Sequence, residues 1–303
     1  MNWKVNRASA IRAGAGALAL LGVWAARTQT QEPAAQLPSI HQLKPDLYEI
    51  EGTSHGSDDV GNVAVFITGE GVILVDDRFD RDHEQIVTLV KTVTDQPIKY
   101  IINTHHHGDH TGGNAKFLPT AEIVAQMNAR KHMIDGNMPG PPHIVFRDEA
   151  DLFLGGKEVR AIYNGRGHTD GDIAVYFPAD RAVHLGDLMA GTNGVSNPTM
   201  DYANGASIGA WPGTLDKVLA LDFDTVIPGH GAVTNKAGLM AHRNKVAAIV
   251  AKVSAMIKQG KSKDEVGQVL LQEFEWKPIN MAGLEGVMAE LSGKITPGNS
   301  ALN

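Results

Sequence analysis

The chain of 303 residues has no cysteine. That absence excludes disulfides and thiolate ligands, so a metal bound here must sit on imidazole and carboxylate groups. An apolar run of membrane-spanning length is also missing. Such a helix needs roughly 20 residues, whereas AGAGALALLGVWA covers only residues 13–25. Positive charge is in deficit: 34 acidic against 27 basic residues leave a formal charge of −7. Three of the basic residues lie among the first 25, so the remainder carries 24 against 34, or −10. A chain with that balance is poorly suited to gripping nucleic acid through its phosphates. No close internal repeat is present, and the 43% hydrophobic and 20% charged fractions are ordinary for a globular protein.

What is present begins with a leader pattern. Lys4, Arg7 and Arg12 precede the short apolar run, and Val23 and Ala25 satisfy the small-residue cleavage rule. Residues 1–25 therefore read as a signal peptide, with a mature chain starting near Ala26, periplasmic or secreted and without a stable membrane anchor. A retained anchor is the competing reading. Residues 26–44, polar and proline-bearing in RTQTQEPAAQLPS (27–39), read as a linker. Residues 45–303 form the main domain, long enough to bury a substantial core.

Within that domain, LYEIEG (47–52) alternates like a strand, and a glycine-flanked loop follows at 52–61. Two β-branched runs around Gly69-Glu70-Gly71 predict a hairpin over 62–77. Helical spacing of Ile86, Leu89, Val90 and Val93 predicts a helix over 81–94. Strands are expected at 99–104 and 121–126, a helix near 128–135, and hairpin-like pairs at 152–163 and 172–187. Helices are expected near 212–221, 236–259, 262–274 and 283–292. Two similar halves, each with strands, a helix and a strand, suggest two facing sheets with helices outside.

The densest chemistry lies in NTHHHGDHTGGN (103–114), where four histidines and an aspartate fall within six residues. Taken alone, this stretch reads as well as a solvated histidine tract. Three later loops supply partners: His168, Asp187 and His230 each follow a β-type run and sit among glycines. His105 and His107, two apart, are placed to face one ion, while the adjacent Asp109 and His110 diverge toward a second. Seven such groups exceed one open tetrahedral zinc site but suit two ions, with a carboxylate between them. Two ions about 3.5–4 Å apart can share a hydroxide at neutral pH.

THHHGDHTGG resembles the H-x-H-x-D-H signature of the metallo-β-lactamase-fold superfamily, at His105, His107, Asp109 and His110. GHTDGDIAVYF, HLGDL and PGHG resemble that family's later metal loops and place His168, Asp187 and His230, so the likeness spans roughly residues 45–235. The resemblance implies an α+β fold, a four-layer αββα sandwich, with two zinc ions at one edge of its sheets. It also implies that His105, His107 and His168 hold the first ion and Asp109, His110 and His230 the second, with Asp187 bridging. Iron or manganese are further candidates for such ligands.

Hydrolysis of a small-molecule substrate, a lactam, lactone or thioester, is the chemistry so implied, with Asp109 as the catalytic carboxylate. The subclass of β-lactamases with cysteine at the Asp187 position does not fit this chain. The pairing of His110 with Asp187 is closer to the broader hydrolase set. Rival readings are a one-iron sulfur dioxygenase of the same fold and a non-catalytic periplasmic accessory protein. Asp76 reads either as a support for the histidine loop or as a simple turn residue. His106 and His184 read as structural, His55 lies on a loop where the fold often carries a flap, and His41, His83, His132, His143 and His242 have no ligand-like context.

Overall fold

The structure, a computed structural model, describes residues 39–52, 60–192 and 195–296. The expected signal peptide, most of the expected linker, and His55 lie outside the described residues.

The first sheet runs in the order β1 (Ile40–Lys44), β2 (Leu47–Ile50), β3 (Val63–Ile67), β4 (Val72–Val75), β5 (Ile98–Asn103), β6 (Glu122–Gln126) and β7 (Ile144–Phe146). β1 to β4 pair antiparallel, and β4 to β7 pair parallel. The second sheet contains β8 (Glu149–Leu154), β9 (Lys157–Ile162), β10 (Ala174–Phe177), β11 (Ala182–His184) and, after the short pair β12 (Gly191–Thr192) and β13 (Val195–Ser196), β14 (Thr225–Ile227). Here β8 to β11 pair antiparallel, and β14 joins β11 in parallel.

The two halves expected from sequence are visible in the connections. In one, the β3–β4 hairpin leads through helix α1 (His83–Lys91) to the parallel strand β5. In the other, the β10–β11 hairpin leads through a helix at Trp211–Leu219 to the parallel strand β14. Parallel pairing requires such a crossover, and the helix it contains covers the sheet's outer face.

Three apolar clusters define four layers. Phe66, Ile73, Val75 and Ile102 of the first sheet meet Val159, Val175, Phe177 and Ile227 of the second. The other face of the first sheet, through Val65, Leu74 and Ile101, packs on Ile86 and Val90 of α1. Ile86 and Val90 lie four apart, so one stripe of α1 faces inward. The outer face of the second sheet, through Tyr176, Val183 and Val226, packs on the remaining large helices. After α1, the helices are α2 (Gly108–Thr111), α3 (Asn114–Phe117), α4 (Met127–Asp135), α5 (Trp211–Leu219), α6 (Lys236–Lys258), α7 (Lys263–Glu273), α8 (Pro278–Met281) and α9 (Leu284–Leu291). This is the αββα sandwich. β3 and β4 are β-branched runs buried almost throughout because both of their faces are covered.

One boundary moves. β1 falls inside the stretch expected to be linker, so the sheet begins at Ile40. Its polar sequence, IHQLK, hid this edge strand, which is held by backbone pairing to β2.

Candidate metal centre

The four loops singled out in the sequence converge at one edge of the sandwich. His105 to His107 follow β5, and Asp109 and His110 lie in the single turn α2. His168 follows β9, Asp187 sits in a 3-10 turn after β11, and His230 follows β14. Strand ends fix these side chains, and two glycines permit the closest approaches. A Cβ on Gly229 would lie 2.1 Å from Asp187 Oδ1, and one on Gly61 would lie 2.6 Å from His110 Cε1.

The side chains form two neighbouring groups. His105, His107, His168 and Asp187 offer ligand atoms that all lie within 4.8 Å of one another, and so do Asp109, His110 and His230. In the first, His107 Nδ1 is 2.8 Å from His168 Nε2. In the second, His230 Nε2 is 3.2 Å from His110 Nε2 and 3.1 Å from Asp109 Oδ2. Asp187 faces both. Its Oδ2 is 3.5 Å from His168 Nε2, while its Oδ1 is 3.4 Å from His110 Nε2 and 3.5 Å from His230 Nε2.

Other contacts determine which nitrogen of each ring turns inward. His110 Nδ1 donates to Asp76 Oδ2 at 2.8 Å, and Asp76 also accepts from the Thr104 amide and hydroxyl at 2.7 and 2.8 Å. The Thr199 carbonyl accepts from His168 Nδ1 at 2.6 Å, and Asp201 Oδ2 pairs with His107 Nε2 at 2.9 Å. Asp76 is thus a supporting residue, not a plain turn aspartate. Carboxylates and carbonyls in this position fix the tautomer and keep the opposite nitrogen available to an ion.

The residues fit metal ions on chemical grounds. His105 Nε2 and Asp187 Oδ1 are buried without a hydrogen-bond partner, an expensive arrangement unless a cation meets them. Inward nitrogens and oxygens about 3 Å apart match donors arranged around an ion that takes each at about 2.0–2.2 Å. Burial, then neighbouring imidazoles, push His105 well below the usual histidine range. Burial, reinforced by His107 against the opposing pull of Asp187, holds His168 down to about 4. Burial would push His110 down as well, but Asp109, Asp187 and Asp76 outweigh it and hold that imidazole well above its usual range. Asp109 and Asp187 sit below the usual carboxylate range because nearby histidines outweigh their burial. The second group therefore draws positive charge into a buried place, a demand that a divalent cation meets.

A model of the metallo-beta-lactamase superfamily matches residues 56–230, an interval that contains all seven of these residues. The chain belongs to that superfamily. It is a metal-dependent hydrolase of the β-lactamase-like type. It is 26% identical over 210 residues to a type 2 metallo-beta-lactamase of Bacillus cereus, covering 67% of this chain and 80% of that protein. It is 31% identical over 141 residues to the 2,4-dinitroanisole O-demethylase subunit alpha of Nocardioides sp., covering 45% of this chain and 41% of that longer protein. Among solved structures, a metallo-beta-lactamase from Pontibacter korlensis superposes with a TM-score of 0.62 at 20% identity, over 69% of this chain and 99% of that one. At that identity the likeness is one of fold.

In this superfamily member the two groups open onto a cleft of about 290 Å³. Its walls include His107, Asp109, His168, Asp187 and His230, and also Asn197, Thr199, Lys277, Ile279 and Asn280. Sequence reading missed Asp201 and the three cleft residues from the C-terminal segment, none of which carries a local motif. His106 turns away from both groups. Its Nε2 lies 3.9 Å from Asp201, with which His106 and His107 form a third, overlapping set, and its ring is 4.8 Å from that of His132. His184 is buried within β11, with Nε2 3.3 Å from the Asn62 carbonyl, and the buried His242 of α6 donates from Nε2 to the Leu188 carbonyl.

Proposed function

We propose that the protein is an exported di-zinc hydrolase of cyclic or activated acyl substrates: lactams, lactones or thioesters. One observation carries this reading. The two oxygens of Asp187 divide between the two groups, one facing His168 and the other facing His110 and His230. A one-iron oxidation site would need only the first group, whereas His110, His230 and Asp109 are drawn together here as well. His105, His107, His168 and Asp187 would hold one zinc and Asp109, His110 and His230 the other, with Asp187 shared. Bound zinc supplies Lewis acidity toward a carbonyl oxygen and brings the ionisation of water near pH 7.

The chain's own groups supply the rest. The Asp109 carboxylate, 3.1 Å from His230 and 3.3 Å from His110, lines the cleft and stays ionised. It accepts a hydrogen bond from the attacking water, orients it, and passes the proton to the leaving atom as the acyl bond breaks. The products are the acid and the protonated leaving group. The relatives' names extend the same range, from the lactamase of Bacillus cereus to the hydroxyacylglutathione hydrolase of Crocosphaera subtropica. Export rests on the leader pattern of residues 1–25, and a periplasmic chain beginning at Ala26 by mass would support it.

The test is turnover by zinc-loaded protein on a cephalosporin, a homoserine lactone and an acyl thioester. His105→Ala and Asp109→Asn should each lower the rate by at least about a hundredfold. Activity that survives both substitutions overturns the reading. A content of one iron per chain favours the oxidation enzyme, and bound zinc without turnover favours the accessory protein.

A further inference from the structure

Given the metal reading above, on which this step rests, we infer that Glu290 of helix α9 is a positioning residue for the first metal group. It acts on His107 through Asp201. α9 lies well beyond the 56–230 stretch that matches the family model, and the residues lining the cleft end at Asn280 in chain order.

Asp201 is the point of contact with the metal group. Its Oδ2 accepts from His107 Nε2 at 2.9 Å, which leaves His107 Nδ1 facing His168. The inner edge of the loop carrying Asp201 rests on the backbone around His168. There the Asp201 amide donates to the His168 carbonyl at 3.0 Å, and the Ser207 amide donates to the Gly167 carbonyl at 3.0 Å.

The outer edge of the same loop is gripped by Glu290. Its Oε1 accepts from the Ser207 hydroxyl at 2.6 Å and the Gly209 amide at 3.1 Å. Its Oε2 accepts from the Tyr202 hydroxyl at 2.6 Å and the Ile208 amide at 3.0 Å. Hydrogen bonds to an ionised acceptor are roughly twice as strong as neutral ones. Burial, then the bond to Glu290, hold Tyr202 above its usual range, so its hydroxyl keeps the proton that it donates.

α9 is shaped for this contact. Gly283, Gly286 and Glu290 recur at helical spacing and share one face. A Cβ on Gly286 would lie 2.2 Å from Tyr202 Cδ2, and one on Gly283 would lie 3.0 Å from Met200 Cε. Glycine inside a helix is destabilising, so Gly286 answers to the close approach of the Tyr202 ring. Without Glu290, the loop is held on its inner edge alone. His107 then loses the fixed carboxylate that selects its tautomer.

Zinc retention under competition from a chelator tests this on the full chain, without requiring turnover. Asp201→Ala should weaken one of the two ions by about tenfold or more. Glu290→Gln should weaken the same ion by up to about tenfold, since it acts one step further out. Glutamine keeps the shape of the side chain, but its amide nitrogen accepts no hydrogen bond, so one pair of donors loses its partner. The second ion, which Asp76 supports through His110, should keep its wild-type affinity. Added to Asp201→Ala, Glu290→Gln should weaken binding no further, because the two residues act in series. Glu285→Gln removes only an exposed pair with Lys263 at 3.2 Å and is the control for α9. Thermal melting of the metal-free chains confirms that each variant folds. Should Glu290→Gln fail to fold, Tyr202→Phe keeps the ring against Gly286 and carries the same comparison. Wild-type zinc retention in these variants, equal loosening of both ions, or losses that add to those of Asp201→Ala overturn the role of Glu290 and leave the metal reading standing. A wild-type chain that binds no zinc removes the metal reading, and the role of Glu290 with it.

Discussion

Asp76 Oδ2 accepts a hydrogen bond from His110 Nδ1 at 2.8 Å, and that single contact decides which nitrogen of His110 faces Asp109, Asp187 and His230. Asp76 is fully buried and has φ of +64°, a region that asparagine tolerates better than alanine. Asp76→Asn should therefore leave the fold in place while weakening metal affinity at the second group by roughly 10–100-fold. Zinc stoichiometry under competition from a chelator checks this, and a variant that still retains the second ion as tightly as wild type refutes it.

Gly61 packs against the face of the same ring. Its carbonyl accepts from Arg78 Nε at 2.8 Å, and Arg78 Nη2 also holds the Ile50 and Glu51 carbonyls. Because a Cβ here would meet His110 at 2.6 Å, Gly61→Ala should displace either the ring or the chain. The expected cost is about 1–3 kcal/mol in urea unfolding, together with reduced activity. An unchanged unfolding midpoint would show that the backbone yields without cost.

Acid should weaken the fold through its buried neutral histidines, and His242 isolates the effect outside the metal groups. Burial holds His242 down to about 4, from an ordinary value of 6.5. The unfolded chain then binds the extra proton first, so stability is intact above pH 6.5 and is lost as pH falls toward 4, at about 1.4 kcal/mol per unit. Glu49 and Asp172, raised to about 7 chiefly by burial, act with the opposite sign. The measurement is therefore a difference. His242→Gln should lose less stability than wild type between pH 6.5 and 4 in urea titrations, and parallel curves would sink the assignment.

Metal uptake should release protons. His110 is held well above its usual range by carboxylates, and His107 is raised because its bond to Asp201 and the nearby carboxylates outweigh burial. Both rings must give up a proton to bind an ion through the inward nitrogen. Zinc titrations in buffers of different ionisation enthalpy should show proton release near pH 7. Chelation should lower the melting temperature, since ligand at a thousandfold its dissociation constant contributes about 4 kcal/mol. Identical heats in all buffers would contradict the charge state derived for His110.

The seven candidate ligands were legible because each carries a local signature: a histidine or aspartate beside glycine at the end of a β-type run, repeated four times in chain order. The missing cysteine alone restricted the donors to imidazole and carboxylate. Periodicity likewise marked α1, α6 and α7 to within a few residues, since each buries one stripe. Tertiary structure decided what no local pattern encodes. Asp201 supports His107 from 94 residues away, and Asn280 joins Thr199 from 81. β1 is a strand because β2 pairs with it, not because IHQLK alternates. Ligand identity follows from side-chain chemistry, which sequence states directly. The tautomers and the division of Asp187 between two groups follow from contacts that exist only after distant segments meet.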